Sequence, residues 1–487
     1  MPISRVIKTA ESIFKGDSIG SKARRGSIFI LSSNILRQVL DFTRKIILVR
    51  ILTPTDFGLV GIAMTVISGV QILSNTGLRA ALIQKKDLNK SLLDTAWSIE
   101  ITRGLILSCI VFFSAPIISN FFKSENSTNI LRVLSILPLM DGLRNIGTIY
   151  FDKELKFHKI LLYQQIIGIT VFVTSLLCVL VIKNAWVIVA GSISGVAASV
   201  IASYILHKYR PNWRINWNDF KILFDFGKNL LIIGIVTYLL EQGGNFFIGR
   251  ILGTASLGIY LLAYNTAILP INIFGDLIRR ITFPAYAHIQ DDLYRLRHAF
   301  LKSFKTSMVL LVPVTIGLIT LSDNFILIIY GAKWQNAVEP FKILCFFALL
   351  RANSFVIAPL LHGIGKPNLA TRARIVELAV FSILIYPAIR TYGIIGVALA
   401  ITITYLIALL LRYYYILKIL PSTLKPMTLI ILKILINAFG MTIILLSFRN
   451  SVYSILSLIG LVLVSAIVYF SAMFLTDKKW LYNLANR

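Results

Sequence analysis

The sequence predicts an all-α polytopic membrane protein with about 14 transmembrane helices, in two six-helix lobes that form a parallel repeat around a central cavity, plus two extra C-terminal helices. The first observation is composition. Of the 487 residues, 57% are hydrophobic and 14% are charged, and the mean hydropathy is +0.80. Because soluble chains carry about 25% charged residues, a soluble multidomain enzyme is excluded. The second and third observations are the distribution of basic residues and an internal repeat.

Each crossing needs roughly 20 mostly apolar residues, and the apolar content suffices for about fourteen crossings. In chain order, the predicted helices cover residues 27–52, 56–78, 92–119, 129–150, 160–182, 185–206, 222–251, 255–278, 299–320, 337–361, 369–389, 392–416, 426–447 and 452–475. Pro138, Pro270 and Pro313 are plausible kink points, since proline cannot donate a backbone hydrogen bond. The connections are short, which argues against a membrane-bound glycosyltransferase or polymerase.

The chain carries 49 Lys and Arg against 21 Asp and Glu, a net charge of +28. In a membrane protein the positive-inside rule explains such an excess without nucleic acid as a partner. With the N-terminus inside, 30 basic residues, Arg374 and Arg412 among them, fall in inner segments and seven in outer ones. This asymmetry predicts that both termini are cytoplasmic.

The N-terminal segment 1–25 has no apolar stretch of the kind that a secretory signal needs. Apolar residues at helical spacing with basic residues between them indicate a short amphipathic helix on the cytoplasmic surface. A flexible basic tail explains the same residues equally well. In either case, Lys22, Arg24 and Arg25 place positive charge just before the first crossing.

The chain repeats itself with an offset of 200 residues. Arg50-Ile51-Leu52, Gly58 and Ala63 recur as Arg250-Ile251-Leu252, Gly258 and Ala263. Six predicted helices separate the copies, so the copies have the same orientation and an axis along the membrane normal relates them. The predicted domains are therefore a cytoplasmic segment (1–25), an N-lobe (26–210), a C-lobe (211–420), and helices 13 and 14 with a tail (421–487).

The first predicted helix carries charges within a crossing. Arg37, Asp41 and Arg44 are spaced i, i+4 and i+7, which puts them on one face. Each such charge at bilayer depth costs roughly 2.5–3.5 kcal/mol, so the face must line a wet cavity or be paired internally. The first interpretation gives a cationic wall, and the second gives an ion network that only pins the helix.

Further charges lie inside other predicted helices. Glu100 with Arg103 and Asp141 with Arg144 share helix faces, either as cavity groups or as pairs that satisfy only each other. Glu241, Arg351 and Glu377 lie in helices 7, 10 and 11, and Asp276, Arg279 and Arg280 close the inner end of helix 8. Glu241 stands 200 residues after Asp41, so the repeat predicts that both acids face the central cavity at similar depth. Asp41, Glu241, Glu100 and Glu377 are the candidates for coupling to a proton or a sodium ion.

The sequence predicts neither a cofactor nor a metal site. The five histidines show no metal-ligand spacing, and Cys109, Cys178 and Cys345 all lie in apolar runs and are expected to be inert. No phosphate-binding loop of the Gly-x-x-x-x-Gly-Lys-Ser/Thr type is present, so direct ATP hydrolysis is not expected.

A family resemblance rests on two stretches near the start. Leu52–Leu59 (LTPTDFGL) and Gly77–Gln84 (GLRAALIQ) resemble the opening of bacterial polysaccharide and O-antigen flippases, within the multidrug/oligosaccharidyl-lipid/polysaccharide exporter superfamily. Similar matches follow at 248–253, 257–260, 283–284 and 330–334, and the branch exporting colanic-acid-like and teichuronic-acid-like polymers is the most similar. Two departures are Asn245 and Asn75, where the family often has an acid.

The resemblance implies a flippase that moves undecaprenyl-pyrophosphate-linked oligosaccharide across the bacterial inner membrane by alternating access, for surface polysaccharide biosynthesis. It also implies the lipid bilayer, the lipid-linked substrate, a polysaccharide polymerase and chain-length machinery as partners. Because arginine binds phosphate bidentately, we expect Arg37 and Arg44 to hold the pyrophosphate, with Asp41 orienting them. Arg103 and Arg351 are secondary candidates for the same contact.

Three other functions fit the composition less well. A cation-coupled multidrug exporter of the same fold would prefer an acidic, aromatic cavity, which the helix 1 arginines oppose. A polymerase or glycosyltransferase would need a larger polar loop. A scaffold without transport activity would not explain charges at mid-membrane in both lobes.

Overall fold

The computed structural model describes residues 36–73, 77–85, 88–154 and 156–477. Within these ranges the chain is almost entirely helical and has no β-strand, which confirms the all-α class. Predictions for the segment 1–25, the start of the first helix, Asn75 and the tail after 477 lie outside the described residues. So do the side chains of Asp276, Arg279 and Arg280.

The described chain divides into two compact units. The first contains 36–52 and 62–235, and the second contains 53–61 and 236–477. The predicted lobes 26–210 and 211–420, and the axis that relates them, stay predictions.

The first unit is built mainly from helices up to residue 235. Residues 36–51 form helix α1. The next helices are α2 Pro54–Leu73, α3 Leu78–Gln84, α4 Lys90–Phe121, α5 Ser127–Leu134, α6 Leu137–Gly142, α7 Ile149–Lys153, α8 Phe157–Val181, α9 Trp186–Leu206 and α10 Trp217–Ile251. The first residues of α2 and the last part of α10 belong to the second unit.

The second unit continues with further helices and two short irregular turns. The helices are α11 Gly253–Ala267, α12 Leu269–His288, α13 Leu293–Thr320, α14 Ser322–Phe325, α15 Val338–Ala352, α16 Ser354–Gly363, α17 Pro367–Ile419, α18 Leu424–Phe448 and α19 Ile455–Thr476. A π-helical turn, Ile326–Tyr330, and a 3₁₀ turn, Ala332–Ala337, connect α14 to α15.

Ten segments in the described residues are long and apolar enough to cross a membrane, so the protein is a multi-pass membrane protein. The longest, α17, has 53 residues, but Gly393 interrupts it with φ +57° and ψ −133°. At 1.5 Å per residue a straight helix of this length would measure about 80 Å, far more than a bilayer core of about 30 Å. Gly393 therefore separates two crossings, as the predicted helices 369–389 and 392–416 require. The total of fourteen stays a prediction.

Three predicted helices are broken. Helix 129–150 is divided into α5, α6 and shorter turns, and Pro138 stands at the start of α6, where it cannot donate to the preceding turn. Pro270 does the same at the start of α12 and divides the predicted helix 255–278. Helix 337–361 breaks at Asn353, whose side-chain amide donates to the carbonyls of Leu349 and Leu350.

The connection 207–216 is extended and bound along α4. Tyr209 donates its hydroxyl to Asp94, which is 3% exposed, at 2.5 Å, and the Asn212 amide donates to the same carboxylate oxygen at 2.9 Å. Two further backbone amides of the connection are bound by α4 hydroxyls: Arg214 by Ser98 and Asn216 by Thr95. We call 207–216 the strap. Its backbone needs these side-chain partners because it belongs to no helix.

The beginnings of α2 and α11 cross at two glycines. A Cβ atom on Gly58 would lie 1.8 Å from the Thr254 carbonyl oxygen, and one on Gly258 would lie 1.9 Å from that of Pro54. Residues 54 and 254, and 58 and 258, are equivalent under the 200-residue offset. A reciprocal contact of this kind is typical of a local two-fold relation. The helix boundaries show the same offset, since α1 ends at residue 51 and α10 at Ile251.

Candidate functional site

On α1, the predicted charged face is only partly paired. Arg44 lies 3.8 Å from Asp41, and their side chains are 23% and 48% exposed. The Arg44 guanidinium approaches Gly191 of α9, and the stem of Arg37 approaches Gly168 of α8. In the described residues Arg37 has no ion pair with Asp41. The proposed three-residue network is therefore reduced to one pair, and Arg37 is exposed.

A second cluster in the first unit joins α4 and α6. Arg103 pairs with Glu100 at 2.6 Å, and Arg144 pairs with Asp141 at 2.5 Å. Polar neighbours extend the cluster: Gln71 donates to Asp141 at 3.0 Å, and Arg144 donates to Ser199 at 2.8 Å. The four charges sum to zero, so Glu100 and Arg103 form part of a neutral network.

Two glycines bring these charges together. A Cβ atom on Gly104 would lie 2.4 Å from the Pro138 carbonyl oxygen, and one on Gly142 would lie 2.5 Å from that of Glu100. Only glycine at both positions lets α4 and α6 approach this closely, as small residues do in membrane helix pairs.

The second unit encloses a cavity of about 310 Å³. We call it the C-unit cavity, and its walls combine charged, hydroxyl and aromatic groups: Leu240, Glu241, Tyr264, Phe347, Arg351, Ser354, Phe355, Ala358, Arg374, Glu377, Phe381, Ile401, Thr404 and Tyr405. The structure thus brings together Glu241, Arg351 and Glu377, which the sequence analysis named from three different helices.

Arg351 is held from two sides. Its guanidinium lies 3.0 Å from the Glu241 carboxylate and donates to the Tyr264 hydroxyl at 2.9 Å. The side chains of Arg351 and Glu241 remain 25% and 38% exposed. This pair is therefore accessible from the cavity.

Glu377 has a buried partner. It lies 2.5 Å from Arg412, and both side chains are 7% exposed; the Arg412 guanidinium also lies over the Tyr405 ring, 5.0 Å from its centroid. Arg374 lies 4.0 Å from Glu377 but is 39% exposed. Arg374 therefore presents a cation to the cavity, while Arg412 neutralises Glu377 from behind.

Sequence reasoning missed Arg374 and Arg412 as site residues because it counted both as cytoplasmic charges. Both lie inside predicted helices, at 369–389 and 392–416, and Arg374 stands three residues before Glu377. These signals were available. With Arg351, the three arginines outnumber Glu241 and Glu377, so the C-unit cavity and its backing carry a net positive charge.

In the described residues no group of three His, Cys, Asp or Glu side chains is placed to hold a metal ion. Cys109, Cys178 and Cys345 carry free thiols. The charged groups of the sites described above are arginines and carboxylates, and Tyr264 and Tyr405 stand beside them.

Apolar helices with internally paired charges, and a cavity that carries one net positive charge once Arg412 behind its wall is counted, define a multi-pass membrane protein that is suited to contact a polar anion. The model of the polysaccharide biosynthesis protein family matches residues 47–339, more than half of the chain. The chain belongs to this family, which confirms the resemblance drawn from Leu52–Leu59 and Gly77–Gln84.

Two curated relatives cover most of the chain. It is 25% identical to the lipopolysaccharide biosynthesis protein WzxC of Escherichia coli over 407 residues, which is 82% of each chain. It is 26% identical to the teichuronic acid biosynthesis protein TuaB of Bacillus subtilis over 336 residues, 67% of this chain and 68% of that one.

The solved lipid II flippase MurJ, in an inward closed conformation, has the same fold. The TM-score is 0.75 at 16% identity, over 93% of this chain and 99% of that chain. At this identity the likeness concerns the fold alone.

Proposed function

We propose that the protein is a flippase that moves undecaprenyl-pyrophosphate-linked oligosaccharide repeat units from the inner to the outer leaflet by alternating access, for surface polysaccharide biosynthesis. The observation that carries the proposal is family membership over residues 47–339. The relatives named for lipopolysaccharide and teichuronic acid biosynthesis, and the lipid II flippase fold, support it.

The arginines supply the chemistry that this substrate needs. A pyrophosphate is a compact anion, and a guanidinium binds its oxygens through two parallel hydrogen bonds. Arg351 and Arg374 offer such donors in the second unit, and Arg37 and Arg44 in the first. Tyr264 and Tyr405 add hydroxyl and ring surfaces that suit a sugar.

Substrate binding is coupled to the carboxylates by competition. When phosphate oxygens occupy Arg351, Glu241 loses its partner at 3.0 Å and becomes free to take up a proton or a sodium ion. Asp41 can exchange in the same way with Arg44. Glu100 and Glu377 are weaker candidates because their arginines hold them at 2.6 and 2.5 Å.

The proposal includes the setting of the protein. The protein lies in the bacterial inner membrane with both termini in the cytoplasm, and it needs no bound cofactor. A polysaccharide polymerase and chain-length machinery act on its product in the outer leaflet.

We expect the double variant Arg37→Ala, Arg44→Ala to reduce surface polysaccharide export at least tenfold, because both guanidinium groups on the charged face of α1 are lost. The measurement is surface polysaccharide, together with lipid-linked intermediates retained in the inner leaflet, in a strain that lacks the chromosomal copy. Arg→Lys changes should retain part of the activity, since the charge survives while the fork is lost.

Arg390→Ala is the matched control, because Arg390 is exposed and lies over the Tyr386 ring rather than in either site. Wild-type export by the double variant, at normal protein abundance, would contradict the cationic site. If the strain that lacks the chromosomal copy loses efflux of cationic dyes but keeps its polysaccharide export, the protein is a multidrug exporter instead.

A further inference from the structure

A second, smaller cavity lies where α13, α18 and the end of α19 meet. Its volume is about 110 Å³. We call it the lysine pocket, and two lysines, one acid and an apolar wall form it: Lys305, Leu429, Ile430, Lys433, Ile434, Met473, Thr476 and Asp477. None of these residues belongs to the C-unit cavity or to the charged clusters of the first unit.

The lysine pocket has one positive charge in excess. Lys305 forms an ion pair with Asp477, and their side chains are 17% and 19% exposed. Lys433 lines the same pocket and is exposed. In the described part of the chain no carboxylate pairs with Lys433. One ammonium group is therefore available for an anionic ligand.

The length of α19 indicates that the pocket lies at the depth of lipid headgroups. Helix α19 has 22 residues, so it measures about 33 Å and spans roughly one hydrocarbon core. Asp477 directly follows its last residue, Thr476, and so marks the boundary between acyl chains and headgroups. Leu429, Ile430 and Met473 form the apolar side of the pocket.

Further positive charge surrounds this end of the helices. The Arg297 guanidinium donates to the Ser422 carbonyl oxygen at 2.6 Å, which ties the start of α13 to the connection before α18. Lys302 lies on the same part of α13, and Lys418 lies in the last turn of α17. Basic pockets between transmembrane helices at the headgroup level are typical sites for anionic lipid headgroups.

We propose that the lysine pocket binds the phosphodiester of an anionic phospholipid, with the Lys433 ammonium as its main charge contact and the apolar wall against the first acyl carbons. Asp477 limits the affinity because it neutralises Lys305. The site is independent of the proposed flippase function, since it holds a bilayer lipid rather than the transported one.

The test measures lipid binding by the full-length protein, purified in a neutral detergent, with native mass spectrometry. The probes are phosphatidylglycerol, phosphatidylcholine and inorganic phosphate. We expect phosphatidylglycerol to bind at least fivefold more tightly than phosphatidylcholine, and inorganic phosphate not to displace it. A charge near the surface changes affinity by about fivefold, so Lys433→Gln should weaken phosphatidylglycerol binding by about that factor.

Two further variants sharpen the test. Asp477→Asn should strengthen phosphatidylglycerol binding severalfold, because it removes a negative charge that repels the lipid phosphate. Lys425→Gln is the matched control, since Lys425 is exposed on α18 but does not line the pocket, and it should change binding by less than twofold.

Three results would overturn the proposal: equal affinity for both lipids, displacement by inorganic phosphate, which would indicate a soluble anion site, or an equal loss in Lys433→Gln and Lys425→Gln. If Asp477→Asn unfolds the protein, Lys433→Gln alone decides, because no carboxylate in the described ranges pairs with Lys433.

Discussion

Two carboxylate–arginine pairs each place a carboxylate in the wall of the C-unit cavity, but the pairs differ in exposure. Glu377 and Arg412 are each 7% exposed, whereas Glu241 and Arg351 are 38% and 25% exposed. A buried pair that loses one partner leaves an uncompensated charge, while an exposed pair is screened by water. We therefore assign the Glu377–Arg412 pair to the fold and the Glu241–Arg351 pair to exchange with ligands.

Glu377→Gln should destabilise the protein by about 3–5 kcal/mol, because it leaves Arg412 buried without its charge partner. The measurement is thermal unfolding of the purified protein in one detergent. Replacing both residues with leucine should recover most of the loss, since neither charge is then buried. Glu241→Gln should cost clearly less, and an equal cost for Glu241→Gln would contradict the assignment.

His207 makes the strap sensitive to acid. Its Nδ1 accepts the Tyr209 amide at 3.1 Å, and its ring stacks on Tyr150. Burial, and then the nearby Lys159 ammonium, lower the pKa of His207 below its ordinary value of about 6.5. The folded state therefore binds fewer protons than the unfolded chain, and the stability from neutral His207 is present above about pH 6.5 and lost as the pH falls below it.

We expect the stability of the wild type to decrease between pH 7.5 and pH 5.5, and His207→Gln to reduce the slope of that decrease. Unfolding in denaturant at a series of pH values measures this. Identical slopes for the wild type and His207→Gln would refute the role of His207.

At the scale of elements, glycine determines which helices cross closely. A Cβ atom added to Gly58 or Gly258 would lie 1.8 or 1.9 Å from a backbone carbonyl oxygen of the other helix. Because the clash is with backbone, no side-chain movement can relieve it. The crossing of α2 and α11 therefore depends on both glycines, as that of α4 and α6 depends on Gly104 and Gly142.

Gly58→Ala and Gly258→Ala should each destabilise the protein by about 1–3 kcal/mol, because the helices must separate. Gly440→Ala in α18 is the control, since an added Cβ there meets nothing within 4 Å. That change should be neutral or stabilise by up to about 1 kcal/mol, owing to the higher helix propensity of alanine. Thermal unfolding should show lower stability for Gly58→Ala and Gly258→Ala than for Gly440→Ala. A Gly58→Ala variant as stable as the wild type would disprove the close crossing.

The helix breaks that the sequence predicted are those with a local cause. Pro138 and Pro270 lack an amide donor, and each stands where a predicted helix is broken. The break at Asn353 was not predicted, because an asparagine competes for helix carbonyls only where its side chain turns back onto the helix. Here Tyr413 holds the side chain in that position by donating to its amide oxygen at 2.5 Å. That contact joins residues 60 positions apart.

At the scale of the molecule, composition and charge asymmetry predicted the class, since hydropathy and basic loops act over many residues. Ion-pair partners were harder to predict, because Arg351 and Glu241 lie 110 residues apart and Arg412 and Glu377 lie 35 apart. Residue spacing alone favoured local partners, which was correct for Glu100 with Arg103 and for Asp141 with Arg144. Arg374 and Arg412 were not predicted as site residues, because both were counted among the cytoplasmic loop charges.

The predicted orientation can be tested in whole cells. In a background without the three native cysteines, Lys183→Cys should react with a membrane-impermeant maleimide in intact spheroplasts, because the connection after α8 is predicted outside. Lys425→Cys should react only after lysis. Both side chains are exposed, so burial does not confound the comparison. The reverse pattern would invert the topology.

The strap has a consequence for proteolysis. In the described ranges it is the longest connection that contains no helical turn. Lys208 and Arg214 are its trypsin sites, while Pro211 protects the bond after Arg210. Extended surface chain of this kind is normally the first to be cut. Trypsin can cut the strap only after the strap has detached from Asp94 and its neighbours on α4. The rate of cutting is therefore set by this local opening. A basic connection that resembles a flexible linker in sequence should therefore be among the slower sites that trypsin finds.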